Sequence, residues 1–523
     1  MSGLGALAVA WTLWHIGWLP AHTFSATRFI LYDQGSMLYV VERLDHGEVL
    51  YRDLNWQYGP LAAGWYWLWA QVAGNSPLTQ VLASAGLMSV AWWLLAGLTV
   101  DAMGRRAGTV WAVVGLLPVL SPTGINAING PHGALEMFLL AVTARVLAGN
   151  FTPHSRAWLV GLLVGVLQWV RFGPHAVAFL AVAWLEGWSL RAAGAVGREW
   201  WRQMGGWLGR ALLAYGGMAL GLGAYYGAVL PWPGVVEQLW PVHMSAHYAA
   251  TYTQRWPDWP GWPGLAQVWL PVLAGLAGLL AWFWHRRRPV PATEPPRDAA
   301  LAGLVFGPLY WAIGVVVLFR NDYTLTGHLW LVWPGLAVAW HLAPAKRPIA
   351  LGVLLLPALL GHGAGLWRTQ QEELAWHAEP RVMPNGQRLW FRTGEARRFA
   401  ELGAAIGGNP AGTKLAVFIA GGGVHYFYGT QRVGRHWWYL PGFVRPWEAA
   451  AAEQALLQHE YLFVADFGQN PGEASTPGTL KLWVPLPDEM GSRLLSHLED
   501  PRAIDGLGHV LRIRPTGDQK TGR

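Results

Sequence analysis

The chain has 523 residues, 53% of them hydrophobic and only 13% charged, with a mean hydropathy of +0.24. A soluble domain carries about 25% charged residues, so disorder, nucleic-acid binding and a soluble multi-domain enzyme fit poorly, and a polytopic membrane protein with one water-exposed part fits best. The 36 Trp suit a membrane–water boundary, the net charge of +7 marks topology, and with 0 Cys no disulfide, thiolate nucleophile or Cys-based metal site is available.

A helix needs about 20 apolar residues to cross a bilayer. About eleven such runs are predicted, at roughly 4–20, 78–99, 108–122, 133–149, 156–170, 174–190, 206–230, 265–284, 299–319, 328–343 and 348–367. The Trp-rich segment 60–73 is shorter and reads as a helix lying at the interface or spanning in part. Orientation follows the Lys/Arg bias of short loops. Arg105 and Arg106, then Arg191, Arg198 and Arg202, then Arg286, Arg287, Arg288 and Arg297, and finally Lys346 and Arg347 all fall on one side if the N-terminus is cytoplasmic. The loop 24–59 then lies outside.

Beyond about residue 368 the charge rises and the periodic runs shorten. Residues 1–367 read as the membrane domain, 368–394 as a linker, and 395–523 as a small outer domain. In the last, helices are predicted at 395–407, 422–429, 446–458 and 488–499, and strands at 414–420, 436–440, 460–466 and 509–514. Such alternation predicts an α/β layer. The glycines 421–423 lack both the dinucleotide spacing and the Lys of a phosphate loop, and read as a tight turn.

The first outer loop is long, and long ordered loops tend to carry function. It contains Tyr32-Asp33-Gln34-Gly35-Ser36, then Gly47-Glu48-Val49-Leu50-Tyr51-Arg52-Asp53, then Tyr58-Gly59-Pro60. Met37, Leu38, Val40, Val41 and Leu44 recur as on a helix lying along the membrane surface, with Asp33 at or just before its N-terminus. An acid there serves either as a helix cap or as a general base or metal ligand at the bilayer edge.

The run from Asp33 to Leu61, with its early Asp, its Gly-x-x-x-Tyr-Arg-Asp segment and its Gly-Pro before the next apolar helix, resembles the first outer loop of the GT-C glycosyltransferases. The bacterial branch related to protein mannosyltransferases and aminoarabinose transferases is the nearest in kind. The resemblance implies a membrane all-α, GT-C-like polytopic helical bundle with a small C-terminal extracytoplasmic α/β domain. It implies a bacterial inner-membrane enzyme, facing outward, that moves a sugar from a polyprenyl-phosphate donor to a lipid, glycan or protein acceptor. Asp33 would be the base that activates the acceptor or helps hold a metal. Gln34 stands where many relatives have Glu, and the next outer loop, 121–133, holds no Asp or Glu. A divalent metal therefore lacks its second acid, and no other cofactor is implied. Membrane lipid and the lipid-linked donor are the expected partners; nucleic acid is not.

Further candidates for substrate binding lie near outer span ends. Arg52 and Asp53 belong to the loop motif. His132 and Glu136 share a helical face, as a hydrogen-bonded helix start or as a polar floor under the donor. Arg171 suits a phosphate through bidentate bonds, or snorkels to head groups. His243 and His247, at i, i+4, could bind zinc but show no third ligand. They sit in a loop, 231–264, whose Trp256, Trp259 and Trp262 suit the interface and which could act as a lid. Arg320, Asp322 and His328 occupy the outer turn 320–328; Arg320 and Asp322 either meet the donor or pair with each other. A transporter or flippase, an O-antigen ligase or polymerase, and a non-catalytic scaffold are the alternatives. Clustering of polar groups at outer span ends, rather than at mid-span, favours a one-sided active site.

Overall fold

The computed structural model describes residues 26–31, 33–114, 132–240, 270–286, 295–318, 335, 338, 379–418, 421–437, 439, 444–465, 494, 496–504 and 507–514. The expected spans at 4–20 and 348–367, most of that at 328–343, and the residues His243, His247, Trp256, Trp259, Trp262, Arg320, Asp322 and His328 lie outside the described residues.

In chain order the helices begin with α1 (Ala26–Leu31), α2 (Asp33–Asp45), α3 (Pro60–Ala73), α4 (Pro77–Met103) and α5 (Arg105–Val114). They continue with α6 (Gly133–Ala148), α7 (Pro153–Val170), α8 (Pro174–Ala192), α9 (Gly197–Val229), α10 (Trp232–Leu239), α11 (Leu270–Arg286) and α12 (Pro295–Leu318). A C-terminal segment follows, with β1 (Glu379–Val382), β2 (Arg388–Phe391), α13 (Glu395–Ala405), β3 (Leu415–Phe418), α14 (Gly423–Tyr428), α15 (Ala449–Leu456), β4 (Tyr461–Ala465), β5 (Leu498–Ile504) and β6 (Gly508–Ile513). Among the described residues, α4 and α9 are long and apolar enough to cross a bilayer. At 14 residues α3 is too short for that.

Contacts divide the chain into two compact units. The first comprises Met1–Trp18, Leu82–Leu222 and Gln254–Glu372. Here α6, α7 and α8 run alternately up and down, and α12 packs on α6, α8 and α11. Small residues let the backbones approach: a Cβ on Gly303 would lie 2.6 Å from the Ala144 carbonyl, and one on Gly161 would lie 2.3 Å from that of Ala211. Helix α7 starts with Pro153 behind Thr152, whose hydroxyl accepts from Ser155 N at 3.2 Å. The two ends of this bundle differ. One carries the ion pairs Asp101–Arg145 and Arg156–Glu186. These place the C-terminal ends of α4, α6 and α8 and the start of α7 together, the arrangement that alternating spans require. The other end carries Glu136 and Arg171.

The second unit comprises Leu19–Val81, Gly223–Thr253 and Glu373–Arg523. Its sheet has the order β3-β4-β6-β5, with β3 parallel to β4 and the other pairs antiparallel. Ala416, Phe418, Leu462, Leu511 and Ile513 form one core with Tyr439, Ala452 and Leu456. Burial of all four residues of β3 explains its unbroken apolar run, Leu-Ala-Val-Phe. Strands β3, β4 and β6 fall where alternation predicts them. The strand expected at 436–440 is present among the described residues only as a bridge between Phe418 and Tyr439. The helix expected at 488–499 gives way by Leu498 to β5, an antiparallel partner of β6 whose Asp-Pro-Arg center hides a bulge. Within the stretch read as a linker, residues 379–391 form the hairpin β1–β2.

The glycine run at 421–423 has a packing role. Gly421 N donates to Leu31 O at 2.8 Å and Gly422 N to Ser36 Oγ at 2.9 Å. A Cβ on Gly423 would lie 1.9 Å from Phe29 O, and one on Gly35 would lie 1.5 Å from the same oxygen and 2.6 Å from the Gly423 Cα. Helix α14 thus seats backbone to backbone on α1 and α2. Gly423→Ala is expected to destabilise the second unit by about 1–3 kcal/mol through overpacking, read as a lowered Tm of the detergent-solubilised protein. An unchanged Tm would show that the contact yields without cost.

Candidate active site

Asp33 opens α2 and is partly buried. The helix is pinned from outside: Asn75 Nδ2 donates to Leu38 O at 2.8 Å, and Gln80 Nε2 to Gln34 O at 2.9 Å. Trp67 Nε1 and Gln71 Nε2 both donate to Asp45 Oδ1, at 2.8 and 2.6 Å, so α3 lies against the end of α2. Burial pushes the Tyr39 phenol up to about 12 and raises the Glu42 carboxyl.

The loop after α2 folds back toward Asp33. Asp53 closes its first turn, accepting from Val49 N at 2.9 Å while its own N–H donates to Val49 O at 2.9 Å. Tyr51 sits at φ 69°, in the left-handed region, and its N–H donates to Leu54 O at 2.7 Å. The Tyr51 hydroxyl donates to the Tyr58 carbonyl. The Tyr58 hydroxyl in turn donates to Asp33 Oδ2 at 3.0 Å. A tyrosine therefore holds the candidate base in place.

Arg52 and Asp53 are occupied with each other. Arg52 Nη2 lies 2.7 Å from Asp53 Oδ2, and that hydrogen bond holds the Asp53 carboxyl below its usual range. Arg52 is exposed, so the pair braces the turn.

Residues 432–437 grip the same loop. Arg435 Nη1 donates to Tyr51 O at 2.6 Å, Asn55 N to Arg435 O at 2.8 Å, and Trp437 Nε1 to Asn55 O at 2.6 Å. Asn55 Nδ2 and His436 Nδ1 are 3.1 Å apart. Arg432 pairs with Glu48, which also pairs with Arg43. Arg435 Nε is 2.7 Å from Glu448 Oε2, and its guanidinium lies 5.1 Å from the centroid of the Trp447 ring. Burial lowers the pKa of His436 and of Arg435. Burial would raise that of Glu448, but the hydrogen bond and charge of His436, with Arg435 and Arg445, outweigh it and hold it low.

In the first unit, His132 precedes α6 and is buried, and its carbonyl accepts from Glu136 N at 3.0 Å. Glu136 is 1% exposed; Tyr310 Oη donates to its Oε1 at 3.0 Å, and Arg171 Nη1 lies 3.7 Å from its Oε2. Arg171 is thus turned toward a buried carboxylate. Among the described residues, no three His, Asp or Glu side chains converge on a metal position.

Sequence reasoning singled out Asp33, His132, Glu136 and Arg171 but missed four partners: Tyr58, Tyr310, Arg435 and Glu448. Tyr58 stood inside the quoted motif. Tyr310 is a polar group in an apolar helix, the usual sign of a buried partner.

No family model matches the sequence, and no curated protein sequence matches it. Solved structures do resemble it. The apo oligosaccharyltransferase of Archaeoglobus fulgidus aligns with a TM-score of 0.51 at 12% identity, over 94% of this chain and 72% of its own. This chain shares the GT-C fold. The zinc- and sulfate-bound form of that oligosaccharyltransferase gives a TM-score of 0.49 at 12% identity, over 97% of this chain and 72% of the other. ArnT from Cupriavidus metallidurans, bound to undecaprenyl phosphate, gives 0.44 at 13% identity, over 98% of each chain. At such identities the likeness is one of fold.

Removing one partner of a buried ion pair strands the other charge, at a cost of about 3–5 kcal/mol. Arg171→Met is expected to destabilise by that order, and adding Glu136→Gln to recover most of it. Thermal unfolding in detergent reads both; equal stability of Arg171→Met and the parent would remove Glu136 from the role of its partner.

Proposed function

We propose that the protein is an integral membrane glycosyltransferase that moves a sugar from a polyprenyl-phosphate donor to an extracytoplasmic acceptor. The observation that carries this reading is Asp33 at the head of α2, held by the Tyr58 hydroxyl, in a chain of GT-C fold. The acceptor hydroxyl or amine gives its proton to Asp33 as its electron pair attacks the anomeric carbon. The bond from that carbon to the phosphate oxygen breaks, the phosphate keeps the electron pair, and the anomeric center inverts. Arg171 or Arg320 neutralises the departing phosphate, and His132, Glu136, His243, His247, Asp322 and His328 are proposed to line the substrate path. No step is assigned to a metal: Gln34 stands where many relatives have Glu, and the next outer loop, 121–133, holds no Asp or Glu.

The proposal includes about eleven spans, an outward-facing first loop and C-terminal segment, and residence in a bacterial inner membrane. The ion pairs at one end of the first unit support alternating spans, and the Lys/Arg bias supports the orientation.

The test has two stages. Mass analysis of envelope glycans from a strain lacking the protein identifies the sugar that disappears. Complementation then compares the parent with Asp33→Asn at equal membrane abundance. Transfer is expected to fall by about 10²–10⁴-fold. Undiminished transfer would remove Asp33 from the role of base.

A further inference from the structure

Tyr51 is a non-glycine residue at φ 69° with a fully buried side chain. A bulky residue keeps such a backbone only where its surroundings over-determine it. The bonds that do so converge on the Tyr51 peptide: its N–H on Leu54 O, and its carbonyl under Arg435 Nη1 at 2.6 Å. The second of these comes from a residue 384 positions away. Arg435 is itself fixed, by Glu448 at Nε and by the face of Trp447. From Tyr51 the bonding continues, its hydroxyl to the Tyr58 carbonyl and the Tyr58 hydroxyl to Asp33.

We infer that Arg435 is a positioning residue for the proposed base, acting through the hydrogen-bond chain Arg435–Tyr51–Tyr58–Asp33. Arg435 never touches Asp33. It fixes the peptide of Tyr51, so the Tyr51 hydroxyl meets the Tyr58 carbonyl and the Tyr58 ring is left with its hydroxyl against the carboxylate. The C-terminal segment thereby sets the geometry of a site whose acid it does not supply. This inference rests on the proposed transferase reading, because only that reading gives Asp33 a reaction to perform. The chain of contacts also has a consequence independent of turnover. Without Arg435, the loop 47–58 loses the bond that holds its strained residue and opens more often.

The experiment uses the full chain in lipid nanodiscs, with two readouts. The first is hydrogen exchange of the backbone amides of 47–58, which needs no substrate. Arg435→Met is expected to speed exchange there about tenfold while α4 and α9 exchange as in the parent, and Arg435→Lys to restore most of the protection. Unchanged exchange in Arg435→Met would overturn the inference.

The second readout is transfer of sugar from its undecaprenyl phosphate, measured for the parent, Asp33→Asn, Tyr51→Phe, Tyr58→Phe and Arg435→Met. An inactive Asp33→Asn beside an active parent upholds the transferase reading, and the other variants then address the chain alone. Each is expected to lower kcat about tenfold with the donor KM within about twofold, and their combinations to lose no more than the worst single variant. Losses that multiply would overturn the inference even with the transferase reading intact. A parent that transfers no sugar would overturn the transferase reading, and a fully active Asp33→Asn would remove Asp33 from the role of base; in either case the exchange result still judges the link from Arg435 to the loop. If Arg435→Met does not accumulate, Arg435→Lys and the Tyr51→Phe, Tyr58→Phe pair decide by the same criteria.

Discussion

The loop that follows α2 must turn back on itself so that a hydroxyl at Tyr58 reaches a carboxylate 25 residues earlier, at 3.0 Å. Most of what is unusual in the second unit serves that return. The Asp53 side chain ties its own turn to Val49. Tyr51 takes a left-handed backbone. Asn55 binds through backbone and side chain to the Arg435–Trp437 segment. A short loop could not close this distance with its own bonds, and here the missing bonds come from a region several hundred residues downstream. The glycines at 35 and 423 permit that region to sit close, since a methyl group at either would strike the Phe29 carbonyl.

The first unit meets a different problem, that of placing charge on largely apolar helices. It does so by pairing. Asp101 with Arg145 and Arg156 with Glu186 close one end of the bundle, and Glu136 with Arg171 and Tyr310 closes the other. Of these acids Glu136 is the more deeply buried, at 1% exposed against 4% for Glu186. A buried charge without a partner would cost more than a single helix contact returns, so the partners of Glu136 are part of the fold whatever else they do.

Local pattern made several elements legible. The helical spacing of Met37, Leu38, Val40, Val41 and Leu44, with Asp33 before it, gave α2 and its acid, because an amphipathic helix writes its period into the sequence. The shortness of the 60–73 run distinguished α3 from a span. What stayed hidden depends on distant residues. Arg435 looks like any arginine until the loop it grips is folded beneath it. Residues 498–504, Leu-Glu-Asp-Pro-Arg-Ala-Ile, carry charge and a proline, and become a strand only because β6 offers an edge and a bulge takes up the irregular center. The glycine run at 421–423 reads as a turn in isolation; its close seat against α1 and α2 appears only in three dimensions. Tyr310 sits in an apolar run that gives no hint of which acid it faces.

We propose that the Asp33-bearing loop works on the face of the membrane away from the cytoplasm. The chain has 0 Cys, so a single introduced cysteine reports without background. His46, exposed at the end of α2, is the position to use: His46→Cys in intact, wall-permeabilised cells, treated with a membrane-impermeant maleimide. The account expects labelling before the inner membrane is broken. Labelling that appears only after lysis would place the loop in the cytoplasm and contradict it.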